Sequence, residues 1–476
     1  MLDIERTLLH ESRKFYVDGD IRGLINVAEI HRGMTDDFAF YNNLLWRLFG
    51  AIWNLPDGAP GVAQVMEILA ESYHDFIFRL RSAIFDQIDV GAIRSRIPYR
   101  KAPRRPAFLI NTFQPTTSSS SDALLTYSRH LVAAADHDPC LVNVHYHPRT
   151  TSAPRLFTNL DFLPIMVEPG WHMHGLPGQT RIPVYVTGRG PGLSGEKIVE
   201  ILRVLVERQA DVVVGHGTFN IIADLVAPLW PAVCLESTRS EAVSFAHVFL
   251  SLGDKVTYFR RNRADLYPAE RAVLRLSAAF PIEARRHVYD RAGLGFAADD
   301  YVVALVGYRL NTEIDQDFVD FMIRAFAAAP RLRFVLAGVH EVAFLDRLPA
   351  DLAARCTARG IDPDIRDLLA LCDCYVNTPR LGGGGSALVA LAEAKPVLSL
   401  PGGDVGGILG PENCLSDLAA MAARLVELAT DPAAQASAEA KAATIYAQYD
   451  FADNIALVEQ AFRAARRIFD ETDALR

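Results

Sequence analysis

The sequence predicts an α/β protein in which two Rossmann-like domains in tandem, facing a cleft, follow an all-helical N-terminal extension. Three observations predict it. In the first hundred residues the apolar side chains recur at helical spacing, with no alternating strand pattern. Beyond them, short apolar runs alternate with amphipathic stretches of helical period, the signature of parallel βαβ units. That alternation starts a second time near Tyr301, and a chain of 476 residues exceeds the size at which one hydrophobic core stops growing.

The helical segment, residues 1–100, is read from runs such as Leu44, Leu45, Leu48, Phe49, Ile52 and Trp53. Trp46, Phe49 and Trp53 form an apolar stripe, read as core or as a surface for a second copy or a partner, so a homo-oligomer through this segment stays open. Ala102-Pro103-Arg104-Arg105-Pro106 closes the segment because proline cannot continue a helix. The basic stretch 94–105 reads as a solvated linker. In the first α/β domain, 101–267, strands are expected at 107–113, 140–146, 182–187, 212–214 and 232–235. Helices are expected between them at 122–135, 196–209 and 219–226. Helices over 268–292 lead into the second α/β domain, 268–450, with strands at 301–306, 333–337, 374–377 and 397–400. Its helices are expected at 318–328, 364–371 and 386–394, and the tail is helical, ending in a C-terminal helix over 451–476.

Half of the residues are hydrophobic and 22% are charged, a soluble globular balance. No run approaches the roughly 18 apolar residues of a membrane helix, so no transmembrane segment is expected. The formal charge of −9 argues against broad attraction to nucleic acid, and no nucleic-acid partner is expected. Met1-Leu2-Asp3-Ile4-Glu5-Arg6 lacks the basic start and apolar core of a secretory signal. The expected location is the cytoplasm, with peripheral membrane association left open. Six cysteines without a CxxC pair give neither a disulfide framework nor a zinc spacing.

In Asn377-Thr378-Pro379-Arg380-Leu381-Gly382-Gly383-Gly384-Gly385-Ser386 a strand gives way to glycines and then a helix. Glycines let backbone N–H groups approach a ligand, and a helix N-terminus carries about half a positive charge toward an anion. A diphosphate fits such a loop at Gly383, Gly384, Gly385 and Ser386; a merely flexible turn is the alternative. Arg309 follows the strand at 301–306 and would grip the same diphosphate bidentately. Arg380, just before the glycines, is a candidate second phosphate contact. Asp404, after the next strand, would accept hydrogen bonds from sugar or ribose hydroxyls, or form a turn. In the first domain His216, within Val214-Gly215-His216-Gly217, closes a buried strand and is the candidate catalytic residue, polarising a hydroxyl or acting as general base. The pairs His145/His147 and His172/His174 have the alternate spacing that metals exploit, but no third ligand is apparent and no metal is expected. Ser118 to Ser121 lie in the loop before the helix at 122–135, where capping explains them.

Together these segments resemble the GT-B glycosyltransferases, in particular the large group that includes sucrose synthase and bacterial mannosyltransferases, from about Ala107 onward. Val306-Gly307-Tyr308-Arg309-Leu310 is similar to the Gly-Arg-Leu that opens the donor-binding domain in that group. The stretch 364–378 looks like the helix and strand before its donor loop, 385–398 like the loop, helix and strand that follow, and 211–217 like its acceptor segment, whose second histidine matches His216. The group's paired glutamates would fall at Leu381 and Val389, its lysine at Ile314 and its first acceptor histidine at Val214, so the chain is a divergent relative with open stereochemistry. The glycine-rich loop and helical extension also resemble bacterial adhesin N-glucosyltransferases, which use UDP-glucose. The resemblance implies a nucleotide-diphospho-sugar donor, with UDP the favoured base, a glycan, lipid-linked glycan or protein acceptor, and no required cofactor. A nucleotide-sugar epimerase, a phosphorylase, or a non-catalytic sugar-nucleotide-binding or scaffold protein would share this architecture.

Overall fold

The computed structural model describes residues 2–34, 36–53, 61–111, 113, 119–145, 168–175, 180–189, 192–217, 219–236, 243–252, 272–277, 281–282, 285, 287–362, 364–380 and 382–474. The N-terminal segment is helical: α1 (Leu2–Asp18), α2 (Ile21–Arg32), α3 (Phe38–Trp53), α4 (Val62–Phe85) and α5 (Val90–Arg96). Helix α4 shows why. Its buried residues, among them Val65, Ile68, Leu69, Tyr73, Phe76, Ile77, Leu80 and Ile84, recur every third or fourth position and make one apolar face. Asp20 and Asp89 cap α2 and α5 by accepting the backbone N–H of Arg22 and Ala92.

That face is not an independent layer. Trp46 and Phe49 pack against Phe219 with tilted rings at centroid distances of 4.6 and 4.5 Å, and Tyr73 Oη donates to the buried Asp224 carboxylate at 2.6 Å. The stripe read as core or as a surface for a partner is therefore core at Trp46 and Phe49; the Trp53 side chain lies outside the described residues.

The first sheet follows as β1 (Pro106–Ile110), β2 (Cys140–Asn143), β3 (Gly170–His174), β4 (Ile182–Val186), β5 (Val212–His216), β6 (Ala232–Leu235), β7 (Val248–Ser251) and β8 (Ala272–Arg275), with α6 (Ser119–Ala135), α7 (Gly195–Glu207) and α8 (Ile221–Val226) between strands. Its order is β3-β4-β2-β1-β5-β6-β7-β8. Only β3 runs antiparallel, against β4. The helices expected over 268–292 are a correction: β8 occupies part of that span, and no α-helix falls among its described residues. Ala272-Val273-Leu274-Arg275 suits a helix by composition, but pairing with β7 decides it. The basic stretch is also fastened rather than solvated throughout. The fully buried Asp211 carboxylate accepts Arg104 and Arg105 backbone N–H groups at 2.9 and 2.8 Å and Arg100 Nη1 at 2.8 Å.

The second sheet contains β9 (Tyr301–Val306), β10 (Leu332–Ala337), β11 (Cys356–Gly360), β12 (Cys374–Val376) and β13 (Val397–Leu398). All are parallel, in the order β11-β10-β9-β12-β13. Around it lie α9 (Leu310–Glu313), α10 (Gln316–Ala328), α11 (Ala350–Ala353), α12 (Ile365–Leu371), α13 (Gly384–Ala392), α14 (Gly403–Leu409), α15 (Leu418–Thr430) and α16 (Pro432–Tyr446). Helix α10 starts where Asp315 accepts Phe318 N–H at 2.9 Å and buries Phe318, Phe321, Met322 and Phe326. The last helix, α17 (Phe451–Ala474), returns to the first unit. The chain thus divides into one unit of Met1–Leu276 with Ala452–Arg476 and another of Ser277–Phe451. The 1–100 segment shares the first unit's core, and the first sheet continues through Arg275, past the boundary expected at 267.

Candidate nucleotide-sugar site

In the second unit the chain leaves β9 for β10 and β11 on one side and returns to β12 and β13 on the other. Between β9 and β12 the connections diverge, and a parallel sheet opens a crevice at the carboxyl ends of such a pair. The residues that follow these two strands are Gly307 to Arg309 and Asn377 to Gly383. The topology therefore brings Arg309 and the glycine run to the same place.

Helix α13 begins at Gly384, two positions before the expected start at Ser386. Gly384, Gly385 and Ser386 are thus its first turn rather than a loop before it. Gly383 is the N-cap with φ +101° and offers no side chain to cap the helix. The backbone N–H groups of Gly384, Gly385 and Ser386 find no acceptor among the described residues, so the positive end of the helix is open to an anion. Two of the glycines are also needed for packing. A Cβ at Gly383 would lie 2.6 Å from Asn377 Oδ1, and one at Gly384 would lie 3.1 Å from Asp404 Cβ and Ile408 Cδ1. At Gly382 a Cβ would meet nothing within 4 Å.

Arg380 is a correction to its reading as a second phosphate contact. Its side chain is buried beneath the glycines and turned into the protein. Nε donates to Asn377 Oδ1 at 3.0 Å, Nη1 to Glu313 Oε2 at 2.9 Å, and Nη2 to Val306 O at 2.7 Å and Tyr375 Oη at 3.1 Å. The guanidinium braces the strand ends and loop from below. Arg309 is the accessible arginine of the pair. Its Nε donates to Glu313 Oε1 at 3.0 Å and its guanidinium lies over the Tyr308 ring at 5.3 Å, with 31% of the side chain exposed.

Asp404, expected in a loop or turn, stands in the first turn of α14 with its side chain against Gly384. Gly402 and Gly403, at φ +94° and +60°, bend the chain sharply into that turn. Where the resemblance expects a lysine and a second glutamate, Ile314 and Val389 are buried in the apolar cores of this unit. Leu381 lies outside the described residues.

In the first unit His216 ends β5, almost fully buried, and burial pushes its imidazole down to about 4. The ring is neutral near pH 7 and has no hydrogen-bond partner among the described residues. Asn143 was not foreseen. Ile110 pairs with Asn143 and Leu109 with Gly215, so Asn143 and His216 stand at one level on one face of the sheet. Both amide atoms of Asn143 are buried without a partner. His172 and His174 do share a face of β3, with ring centroids 6.5 Å apart. His147 lies outside the described residues, and His145 lends its carbonyl to Lys197 Nζ at 2.6 Å. Among the described residues no group of three His, Cys, Asp or Glu side chains is placed to hold a metal. Ser119 to Ser121 belong to the first turn of α6 rather than to the loop before it, and Ser118 lies outside the described residues.

Glu313 is the main residue that the sequence reading missed. The available signal was its position four residues after Arg309, the spacing at which charged side chains on a helix meet.

No known family description and no curated protein matches the sequence. Solved structures match in fold. A variant of a Thermobaculum terrenum O-GlcNAc transferase aligns with TM-score 0.50 and 15% identity over 99% of both chains. TarM aligns with TM-score 0.51 and 9% identity over 75% of this chain and 98% of its own. The pneumococcal O-GlcNAc transferase GtfA, in complex with UDP and GlcNAc, aligns with TM-score 0.50 and 9% identity over 76% of this chain and 99% of its own. The fold is the one found in GT-B glycosyltransferases, as the sequence predicted. Among the described residues no helix is long and apolar enough to cross a membrane.

Proposed function

We propose that this chain is a glycosyltransferase that moves a sugar from a nucleotide-diphospho-sugar, with UDP the favoured base, to a carbohydrate or protein acceptor. The observation that carries the reading is the uncapped N-terminus of α13 beside Arg309 at the divergence of β9 and β12. The donor's diphosphate would rest on the N–H groups of Gly384, Gly385 and Ser386, with Arg309 Nη1 and Nη2 as cationic partners. As the bond from sugar to phosphate breaks, negative charge grows on the leaving diphosphate. Fixed N–H dipoles and a guanidinium stabilise that charge without reorganising.

His216 is assigned to the acceptor hydroxyl. A neutral imidazole has the lone pair that a general base requires, and the low proton affinity that burial gives it limits how much proton transfer it contributes. Asp404, beside Gly384, is assigned to a sugar or ribose hydroxyl. The donor chemistry above requires no cofactor.

Arg309→Ala tests the donor assignment. Titration calorimetry with UDP should show about tenfold weaker binding, the scale of one lost charge-assisted pair, and unchanged affinity removes Arg309 from the site. Bulky residues at Gly384 and Gly385 should abolish binding if the first turn of α13 is the cradle. A second reading, a sugar-nucleotide-binding protein without transfer activity, is favoured by the apolar burial of Ile314 and Val389. Release of UDP from UDP-glucose, with or without acceptor, separates the two.

A further inference from the structure

Arg309 and Arg380 are joined through one carboxylate. Glu313 Oε1 accepts Arg309 Nε–H, while Oε2 accepts Arg380 Nη1 at 2.9 Å and Thr378 Oγ1 at 3.1 Å. The Glu313 side chain is 8% exposed, so a charge taken out of water here is held by these donors. The chain of contacts runs from the segment after β9, through Glu313, into the segment that carries the glycine run. Arg309 is held from two directions, by the carboxylate at Nε and by the Tyr308 ring against its face. Its Nη1 and Nη2 have no acceptor among the described residues.

We propose that Glu313 is a positioning residue for the anion site: it pins Arg309 by Nε so that the Nη edge stays free for a bidentate grip, and ties that arginine to the glycine loop through Arg380 and Thr378. The inference rests on the donor reading above. Its logic runs against simple electrostatics. The two arginines and the glutamate sum to one positive charge, so removing the carboxylate makes the cluster more cationic and, by charge alone, should tighten anion binding. Positioning gives the opposite sign. In Glu313→Gln one amide oxygen cannot replace both carboxylate oxygens, and the amide NH2 faces donors on Arg380 and Thr378. Arg309 then loses its fixed orientation, or Arg380 loses its partner.

The experiment is calorimetric titration of the full chain with inorganic pyrophosphate and with UDP. Glu313→Gln should weaken both by about tenfold, and in a transfer assay the loss should fall on the donor KM more than on kcat. Thr378→Val, which leaves every charge in place, should weaken both by about threefold with a melting temperature close to the parent's. Equal or tighter binding by Glu313→Gln, with the variant folded by circular dichroism, overturns the inference and leaves the donor reading standing. If Glu313→Gln does not fold, Thr378→Val decides: weaker pyrophosphate binding supports positioning, and unchanged binding overturns it. A parent protein that binds neither probe overturns both the donor reading and this inference.

Discussion

Replacing Gly383 by alanine, with Gly382→Ala as its neighbour and control, separates glycines that the fold requires from those that are merely adjacent. At Gly383 the backbone has φ +101°, where an L-residue costs roughly 1–2 kcal/mol. The new Cβ would fall 2.6 Å from Asn377 Oδ1 and 2.8 and 2.9 Å from Arg380 Nη2 and Nε. That forces apart the bond between Arg380 and Asn377, and a hydrogen bond to a charged group contributes about 1.5–3 kcal/mol. Alanine restricts the unfolded chain and returns about 0.4–1 kcal/mol, so the net loss should be about 2–4 kcal/mol. Gly382 has no positive φ and open space at its Cβ, so its variant should stay within ~0.5 kcal/mol of the parent. The tryptophans, at positions 46, 53, 171 and 230, all lie in the first unit and report nothing here directly. Urea unfolding should be followed by far-UV circular dichroism, with hydrogen exchange of peptides covering 374–392. Equal stability of the two variants would refute the reasoning, because the brace under the loop would then not depend on a bare backbone.

Phe219→Ala should cost about 3–5 kcal/mol, as for other buried aromatics, because Phe219 is the surface on which Trp46 and Phe49 pack; the tryptophan emission change on urea unfolding reads it. Acidification tests His216. Its folded pKa of about 4 lies below the unfolded value near 6.5, so the unfolded chain binds more protons between those values and stability falls as pH drops through that window. From pH 7.5 to pH 5 the contribution of this one group is about 2 kcal/mol, and His216→Gln should lose stability less steeply on acidification, by urea midpoints at the two pH values. Tyr73→Phe should lower stability by about 1.5–3 kcal/mol with its ring packing retained, since the hydrogen bond to the Asp224 carboxylate is removed.

Fold class was legible because periodicity is a property of the chain itself. The strands at β1, β5, β9 and β10 are short apolar runs flanked by clear helical faces, and any parallel sheet must bury them. β8 was not legible: Ala272-Val273-Leu274-Arg275 carries no local strand signal, and only its neighbour β7 makes it extended. The same division holds at the site. The glycine run and Arg309 could be singled out as candidates because their places after strands of a parallel sheet can be read from the local pattern. The inward turn of Arg380 could not, because it depends on Glu313, Asn377, Tyr375 and the Val306 carbonyl converging from separate segments. Asp211 shows the point from the other side: a run of arginines looks solvated until the buried acid that fastens it is located in space.

The return of α17 to the first unit bears on the order in which the protein is made. Residues 277–451 leave the ribosome before residues 452–474, yet the latter complete the earlier unit. Until they emerge, the Asp211 carbonyl lacks Arg466 Nη2, and His137 lacks Glu459. The second unit can therefore close while the first still waits for its last helix, reversing the usual N-terminal-first sequence of domain folding. During that interval the groove for α17, which receives Ile455, Val458, Phe462 and Ile468 in the finished protein, is exposed apolar surface of the kind that holding chaperones bind.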